Sequence, residues 1–138
     1  MFRGGFNHTI DDKGRIIIPQ KFRYVLGDKF VVTKGLGRCL WILTEDEFRV
    51  LDEKINERPM LDINAIRLQR FFTGEALDTS ADAQGRIALP ANLREYAGIE
   101  KDVMVIGAGN RIEMWNKQSW EEYIASLSDD VVSDSAKE

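Results

Sequence analysis

The chain has few of the side chains that usually carry catalysis or covalent cross-links. Its 138 residues include one histidine, His8, and one cysteine, Cys39. A lone cysteine excludes an intrachain disulfide framework and a multi-cysteine metal site. No apolar run is long enough to span a membrane, and the first residues lack the apolar stretch of a secretory signal. We therefore expect a cytoplasmic protein without a membrane partner.

Motifs for catalysis and cofactor binding are also missing. Cys39 lies in an apolar strand pattern, which favours a buried, inert thiol over a nucleophile paired with His8. The segments Gly35-Leu36-Gly37 and Gly107-Ala108-Gly109 have no phosphate-loop lysine and no GxGxxG continuation, so we interpret both as turns. The sequence predicts that the protein is not an enzyme and has no metal site, cofactor or small-molecule substrate.

The net charge of −4 is unevenly distributed along the chain. Residues 1–27 hold five basic side chains against two acidic ones, whereas residues 128–138 hold four acidic side chains. The local field, and not the total charge, steers a polyanion. The acidic composition therefore does not exclude nucleic acid as a partner of the basic first part. The polar, acidic segment 128–138 is predicted to be a disordered tail.

One motif occurs twice. The segment from Asp11 to Arg23 aligns without a gap with the segment from Asp82 to Arg94, and six of the thirteen positions are identical. Each repeating unit is about fifty residues, which is too small to bury a stable core alone, so we expect the two copies to share one core. We predict a first repeat at 5–47, a helical connection at 48–75, a second repeat at 76–119, the end of a C-terminal helix at 120–127, and the tail.

Each copy has the pattern strand, turn, strand, short helix, strand, turn, strand, helix. The strands at 6–10 and 15–18 are predicted to form a hairpin whose three-residue loop is closed by Gly14 in the left-handed region. Gly85 occupies the same place in the second copy. Thr44 and Asn116 are predicted to cap the later helices, and a further helix at 62–72 connects the copies. The fold class is therefore a β-rich α+β fold.

Both copies carry the pattern D-x-x-x-R, as Asp11 with Arg15 and Asp82 with Arg86. An arginine at a rigid loop suits guanine or phosphate, because its guanidinium is planar, charged and able to bond two acceptors at once. The alternative is a pair of surface ion pairs that only stabilise the hairpins, and such pairs contribute little. Lys13 favours binding, since a lysine at a loop tip gains nothing from packing.

These residues together resemble the MraZ family, whose members contain two tandem SpoVT/AbrB-like units. The resemblance rests on Met1-Phe2-Arg3-Gly4, on Phe71-Phe72-Thr73-Gly74 and on both D-x-x-x-R motifs in order, and it covers all but the tail. It implies a pseudo-two-fold swapped-hairpin barrel with flanking helices. It also implies a ring homo-oligomer, octamer-scale, that is associated with the nucleoid. Such a ring binds direct repeats in double-stranded promoter DNA and acts mainly as a repressor of the bacterial cell-division and cell-wall operon.

The resemblance also assigns roles to particular residues. We expect DNA contacts from the loop residues and from one basic residue near the start: Lys13, Arg15, Gln84, Arg86 and Arg3. We expect the supporting residues of the two motifs to be Asp11, Gly14, Asp82 and Gly85. Arg23 and Arg94 follow the short helices and are interpreted as structural.

Two other functions fit parts of the pattern. An AbrB-like antitoxin would bind DNA through the same fold and a toxin through its tail, but the tail has no large apolar anchors beyond Val131 and Val132. A small barrel enzyme would need a nucleophile or a metal site. The helix faces at Phe48 and Leu51 and at Trp120 and Tyr123 belong either to the outer layer or to ring contacts. For Trp120 and Tyr123, packing against the core is favoured.

Overall fold

The computed structural model describes residues 1–137, which form eight strands and five helices. The strands are β1 (Phe2–Thr9), β2 (Arg15–Ile17), β3 (Phe30–Gly35), β4 (Cys39–Thr44), β5 (Leu77–Thr79), β6 (Arg86–Ala88), β7 (Asp102–Gly109) and β8 (Ile112–Asn116). The helices are α1 (Gln20–Leu26), α2 (Glu45–Asn56), α3 (Ile63–Thr73), α4 (Ala91–Ala97) and α5 (Lys117–Lys137). Apart from α3, which connects the copies, both repeats have the same order of elements. None of the helices in residues 1–137 combines the length and apolarity that a membrane crossing requires.

The two repeats exchange strands. One antiparallel sheet has the order β1-β7-β8-β4-β3-β5, and β2 and β6 form a separate two-stranded ribbon. The first strand of each repeat pairs with the third strand of the other, β1 with β7 and β5 with β3. Equivalent strands pair with each other in β2–β6 and β4–β8. This pattern has a pseudo-two-fold relation, so neither repeat forms a complete sheet without the other.

Two sequence expectations about strand pairing need correction. The predicted hairpin in the first repeat would pair β1 with β2. The turn between these strands is present, but β1 pairs with β7 and β2 pairs with β6, both from the other repeat. Exchange is preferred because it lets Ile16 and Ile87 pair directly and bury their side chains in one core. The large sheet has β1 and β5 as its edges, so the pairings among the described residues do not close a barrel. The fold shown is β-rich α+β with two tandem repeats.

One shared core contains side chains from both repeats, as predicted. Phe22 and Leu93, on the equivalent helices α1 and α4, are almost fully buried in the same cluster as Ile16 and Ile87. Phe2 and Phe6 contact the Phe22 ring edge-on, with centroid distances of 5.6 and 5.5 Å. Because this cluster draws on both copies, separating them would expose apolar surface from each.

Gly107-Ala108-Gly109 lies in β7 and is not the turn that the sequence suggested. Gly107 pairs with Gly4 of β1, and a Cβ atom at Gly107 would collide with the backbone of Phe2 and Arg3. Glycine is needed here because the two strands approach closely. The sequence pattern could not show this, since the partner strand comes from the other repeat.

Helices α2, α3 and α5 pack on the face of the sheet that lies opposite the shared core, whereas α1 and α4 contribute to that core. The caps predicted for α2 and α5 are present. Thr44 Oγ1 accepts a hydrogen bond from the N–H of Glu47 at 3.1 Å, and Asn116 Oδ1 accepts one from the N–H of Ser119 at 3.0 Å. Tyr123 stacks on Trp115 with ring centroids 5.2 Å apart. The interpretation of Trp120 and Tyr123 as packing residues is therefore supported, although Tyr123 stays partly exposed.

The predicted disordered tail is largely helical, because α5 continues to Lys137. Extending an existing helix adds one hydrogen bond for each residue fixed, and the segment contains neither glycine nor proline. The predicted tail also includes Glu138, which lies outside the described residues.

Gly14→Ala is expected to destabilise the fold more than Gly98→Ala does. Both glycines have positive φ, at 76° and 64°, so either substitution adds strain of about 1–2 kcal/mol. At Gly14 the new Cβ would also lie 3.0 Å from the carbonyl oxygen of Leu89, whereas at Gly98 it would meet nothing within 4 Å. Chemical unfolding of both variants measures the difference. Equal losses would show that the Gly14 loop is not packed as described.

Candidate nucleic-acid interface

Asp11 organises the first loop, residues 11–15, through both of its carboxylate oxygens. Oδ1 accepts hydrogen bonds from the backbone N–H groups of Lys13 at 2.9 Å and Arg15 at 2.8 Å. Oδ2 accepts one from Nε of Arg15 at 2.8 Å. Gly14 donates its N–H to the carbonyl of Asp11 at 3.0 Å and has a φ of 76°. The predicted tight turn closed by a left-handed glycine is therefore confirmed.

The second loop, residues 82–86, repeats this geometry. Asp82 accepts from the N–H groups of Gln84 and Arg86, each at 2.9 Å, and from Nε of Arg86 at 3.0 Å. Gly85 has a φ of 79°. One contact has no counterpart in the first loop, because Nη2 of Arg86 donates to the side-chain oxygen of Gln84.

The β2–β6 ribbon places both arginines on one face. Arg15 pairs with Ala88 and Arg86 pairs with Ile17, so the arginines occupy diagonal positions, with Cα atoms about 7–8 Å apart. Ile16 lies between Arg15 and Ile17 in the strand and points to the opposite, buried face. The arginine side chains are 34% and 27% exposed. Both guanidinium groups therefore lie at the outer surface and are not sealed inside the protein.

Each loop is braced by the other repeat. Ile18 donates its N–H to the carbonyl of Gly85 at 2.9 Å, and Leu89 donates to the carbonyl of Gly14 at 2.8 Å. Nε of Arg94 donates to the Leu89 carbonyl at 3.0 Å, in agreement with its predicted structural role. The Arg23 guanidinium lies against Gly85, and its buried Nε has no hydrogen-bond partner among residues 1–137. These contacts hold the two loops at a fixed separation.

The aspartates of both loops have lowered pKa values. The N–H of Arg15 is the main cause of the lowered pKa of Asp11, and the N–H of Arg86 has the same effect on the pKa of Asp82. Partial burial opposes these effects, and the arginine side chains add to them. At neutral pH both carboxylates are charged, so each stays able to hold its arginine.

The other predicted contact residues differ in position. Lys13 and Gln84 are exposed at equivalent loop positions beside the two arginines. Arg3 pairs with Ala108 at the end of β1 that lies away from the first loop, and its contact with DNA stays a prediction. Arg3 is six positions from Thr9, the last residue of β1, which corresponds to roughly 20 Å along the strand.

Sequence reasoning missed two residues of this surface, Ile17 and Ala88. Both are exposed on the outward face of the ribbon between the arginines. The sequence did contain a signal for Ile17. Side chains alternate between the two faces of a strand, so Ile17 shares the face of Arg15, whereas Ile16 and Ile18 point to the other face. An exposed isoleucine here supplies apolar contact area in the middle of a polar surface.

Cys39 and His8 are not brought together. Cys39 is on β4 and His8 is on β1, with β7 and β8 between them, which puts the strands roughly 14 Å apart. The Cys39 thiol donates to the Leu36 carbonyl at 3.4 Å, and burial raises its pKa to about 12. It is therefore a neutral thiol at physiological pH. Among the side chains that the structure describes, no three of the types His, Cys, Asp or Glu cluster as a metal site.

Tandem β-rich units that exchange strands and present paired Asp–Arg loops define a class of duplicated α+β proteins. Matches to a family model cover residues 1–71 and 72–138, and the model is described as "MraZ protein, putative antitoxin-like". The chain belongs to the MraZ family. The two matched regions divide the chain near the start of the second repeat.

Similar curated proteins carry the name "Transcriptional regulator MraZ". A relative from Natranaerobius thermophilus is 47% identical over 123 residues, which cover 89% of this chain and 86% of the relative. One from Caldanaerobacter subterraneus subsp. tengcongensis is 49% identical over 126 residues, covering 91% and 88%. One from Thermoanaerobacter sp. is 50% identical over 123 residues, covering 89% and 86%. The likeness thus extends over nearly the whole of each protein.

Arg15→Ala is expected to leave the pKa of Asp11 below its ordinary value of 3.8. The main cause is the backbone N–H of residue 15, which alanine retains, while only the smaller side-chain contributions are lost. NMR titration of the Asp11 carboxyl carbon, with wild type as reference, measures this. Because the folded pKa is depressed, the associated stability is present above pH 3.8 and is lost as the pH falls through the folded value. A return of the Asp11 pKa to 3.8 in Arg15→Ala would contradict this account.

Proposed function

We propose that the protein is a sequence-specific, DNA-binding transcriptional regulator that docks the outward face of its β2–β6 ribbon on duplex DNA. One observation carries the proposal. Arg15 and Arg86 lie on the same exposed face, each held by an aspartate at a fixed separation. The name of the curated relatives, "Transcriptional regulator MraZ", supports the same function.

The hydrogen bonding of the arginines suits readout of bases. In each loop the aspartate engages Nε, which leaves N–H donors on the terminal nitrogens. These donors match the O6 and N7 acceptors that guanine presents in the major groove. The carboxylate orients the guanidinium, and the loop needs no rearrangement to present it. Lys13 and Gln84 lie beside the arginines and complete the proposed contact surface.

Several subunits must act together for useful affinity. The described loops of one chain offer only a few phosphate-reaching groups on an acidic protein, so single-subunit binding is weak and salt-sensitive. We propose an octamer-scale ring that engages promoter direct repeats. Linked sites can raise apparent affinity by roughly 10²–10⁴-fold without new contacts. Direct repeats suit a head-to-tail ring because all neighbours are related in the same sense.

The proposed biological target is the bacterial operon for cell division and cell-wall synthesis, where the protein acts mainly as a repressor in association with the nucleoid. The resemblance to the MraZ family supports this assignment.

The exchange of β1 and β5 between repeats supports a swapped-hairpin architecture, in which the sheet and the ribbon wrap the shared core together.

Arg15→Ala is expected to weaken binding to DNA upstream of the protein's own gene by roughly 10- to 100-fold, because one guanidinium that can bond a base or a phosphate through two N–H groups is lost. The thermal midpoint should change little, because a solvent-accessible ion pair contributes little and the backbone N–H of residue 15 still bonds Asp11. Fluorescence anisotropy and thermal unfolding measure the two effects. Arg49→Ala is the control, since Arg49 forms a more exposed ion pair, with Asp46 on α2. Parallel losses of binding and stability in Arg15→Ala would make the loop arginines structural.

The ring proposal predicts that the purified chain sediments as a particle of about eight subunits at concentrations where it binds promoter DNA. Sedimentation velocity, with and without a fragment carrying direct repeats, tests this. A fragment with one repeat should bind much more weakly than one with several, because linkage no longer raises the apparent affinity. A monomer with equal affinity for both fragments would contradict the ring.

An antitoxin role is the second candidate. The description of the matching family model includes the words "antitoxin-like", and α5 leaves Val131 about half exposed. The paired arginine loops are equally compatible with this role, because an antitoxin of this type also binds DNA. The regulator proposal is favoured by the names of the relatives, which describe transcriptional regulation.

A further inference from the structure

The two arginine loops differ at two equivalent positions, Asp12 against Ala83 and a second position that contacts an arginine in one copy. In the first loop this position is Lys13, which is exposed and has no side-chain hydrogen bond or ion pair among the described residues. In the second loop it is Gln84, whose side-chain oxygen accepts a hydrogen bond from Nη2 of Arg86. The hydrogen bonds between aspartate and arginine are the same in both copies, so among the described contacts this second position distinguishes how the two arginines are held.

The difference fixes one arginine more tightly than the other. Nε and Nη2 lie along one edge of the guanidinium, and in Arg86 Asp82 and Gln84 occupy this edge together. Arg15 is held by Asp11 through Nε alone. A second anchor stops the guanidinium plane of Arg86 from turning, and it leaves the edge formed by Nη1 and Nη2 free for a ligand. Orientation before binding lowers the entropy lost on binding.

The two arrangements suit different parts of DNA. Bidentate contact with guanine needs a guanidinium plane aligned with the base, which a doubly anchored arginine provides. A phosphate accepts from many directions, and a lysine suits it as a flexible point charge. Asp12 offsets part of the charge in the first loop, but the longer lysine side chain reaches beyond it.

We propose that Gln84 is a positioning residue that orients Arg86 for base readout, while the first loop mainly grips phosphate through Lys13. Repeat 2 then carries more of the sequence preference, and repeat 1 carries more of the salt-dependent affinity. This inference rests on the proposed DNA-binding function.

The test uses full-length variants and a duplex pool with a randomised central segment, followed by sequencing of the bound DNA and salt titration of Kd. Arg86→Ala identifies the base positions that Arg86 reads. Gln84→Met keeps the side-chain length but removes the acceptor, so preference at those positions should fall about 2- to 10-fold with an unchanged salt slope. Gln84→Glu keeps an acceptor and should retain the preference, with weaker overall affinity from its added negative charge. Lys13→Gln should retain the preference and reduce the salt slope by about one.

Gln118→Met is the matched control, because Gln118 hydrogen-bonds Glu122 on α5, away from the loops. It should behave as wild type. Unchanged preference in Gln84→Met overturns the inference, and so does a uniform loss for all sequences, which would indicate a merely structural role. If the wild-type protein enriches no sequence, the DNA-binding proposal itself fails and the inference falls with it.

Discussion

Three residues of β2 pair with three residues of β6, and the position of both arginine loops follows from this short ribbon. Its inner face contributes Ile16 and Ile87 to the shared core, each 1% exposed. Its outer face carries Arg15 and Arg86. Two further backbone hydrogen bonds, from Ile18 to Gly85 and from Leu89 to Gly14, tie each loop to the other repeat. Core burial and loop geometry are therefore coupled. A shift of the ribbon that moved one arginine would also displace Ile16 and Ile87 from the core.

Within each loop a single carboxylate serves both the fold and the surface. Asp11 and Asp82 each satisfy two backbone N–H groups and also hold the arginine that follows four residues later. Backbone groups in a tight exposed turn would otherwise be left to water, and the arginine would sample many rotamers. The same hydrogen bonds lower the pKa of each carboxyl group below its ordinary value. This double use explains why the aspartate and the arginine occur together at fixed spacing in both copies.

Local chemistry made much of this structure predictable from the sequence. The left-handed glycines, the caps at Thr44 and Asn116, and the Asp–Arg contacts depend on residues within four positions of one another. Strand partners were not predictable from the same patterns, because β2 has suitable alternation for pairing either with β1 or with β6. The close approach at Gly107 depends on that choice of partner and was missed with it. The helix was predicted to end at residue 127, and its continuation over residues 128–137 was missed. Composition alone indicated disorder there, whereas an existing packed helix favours continuation.

Duplication within one chain also explains how the loops came to differ. A dimer of two identical single-repeat chains would present the same loop twice, so a lysine at the position of Lys13 would also stand at the position of Gln84. Joining the repeats through α3 removes the entropy cost of association and lets each loop carry its own residue. The pseudo-two-fold pairing survives because the shared features, Asp, Gly and Arg, maintain the turn. The position of Lys13 and Gln84 tolerates different residue types, because the turn does not depend on its side chain. The residue there can therefore determine how each arginine is held.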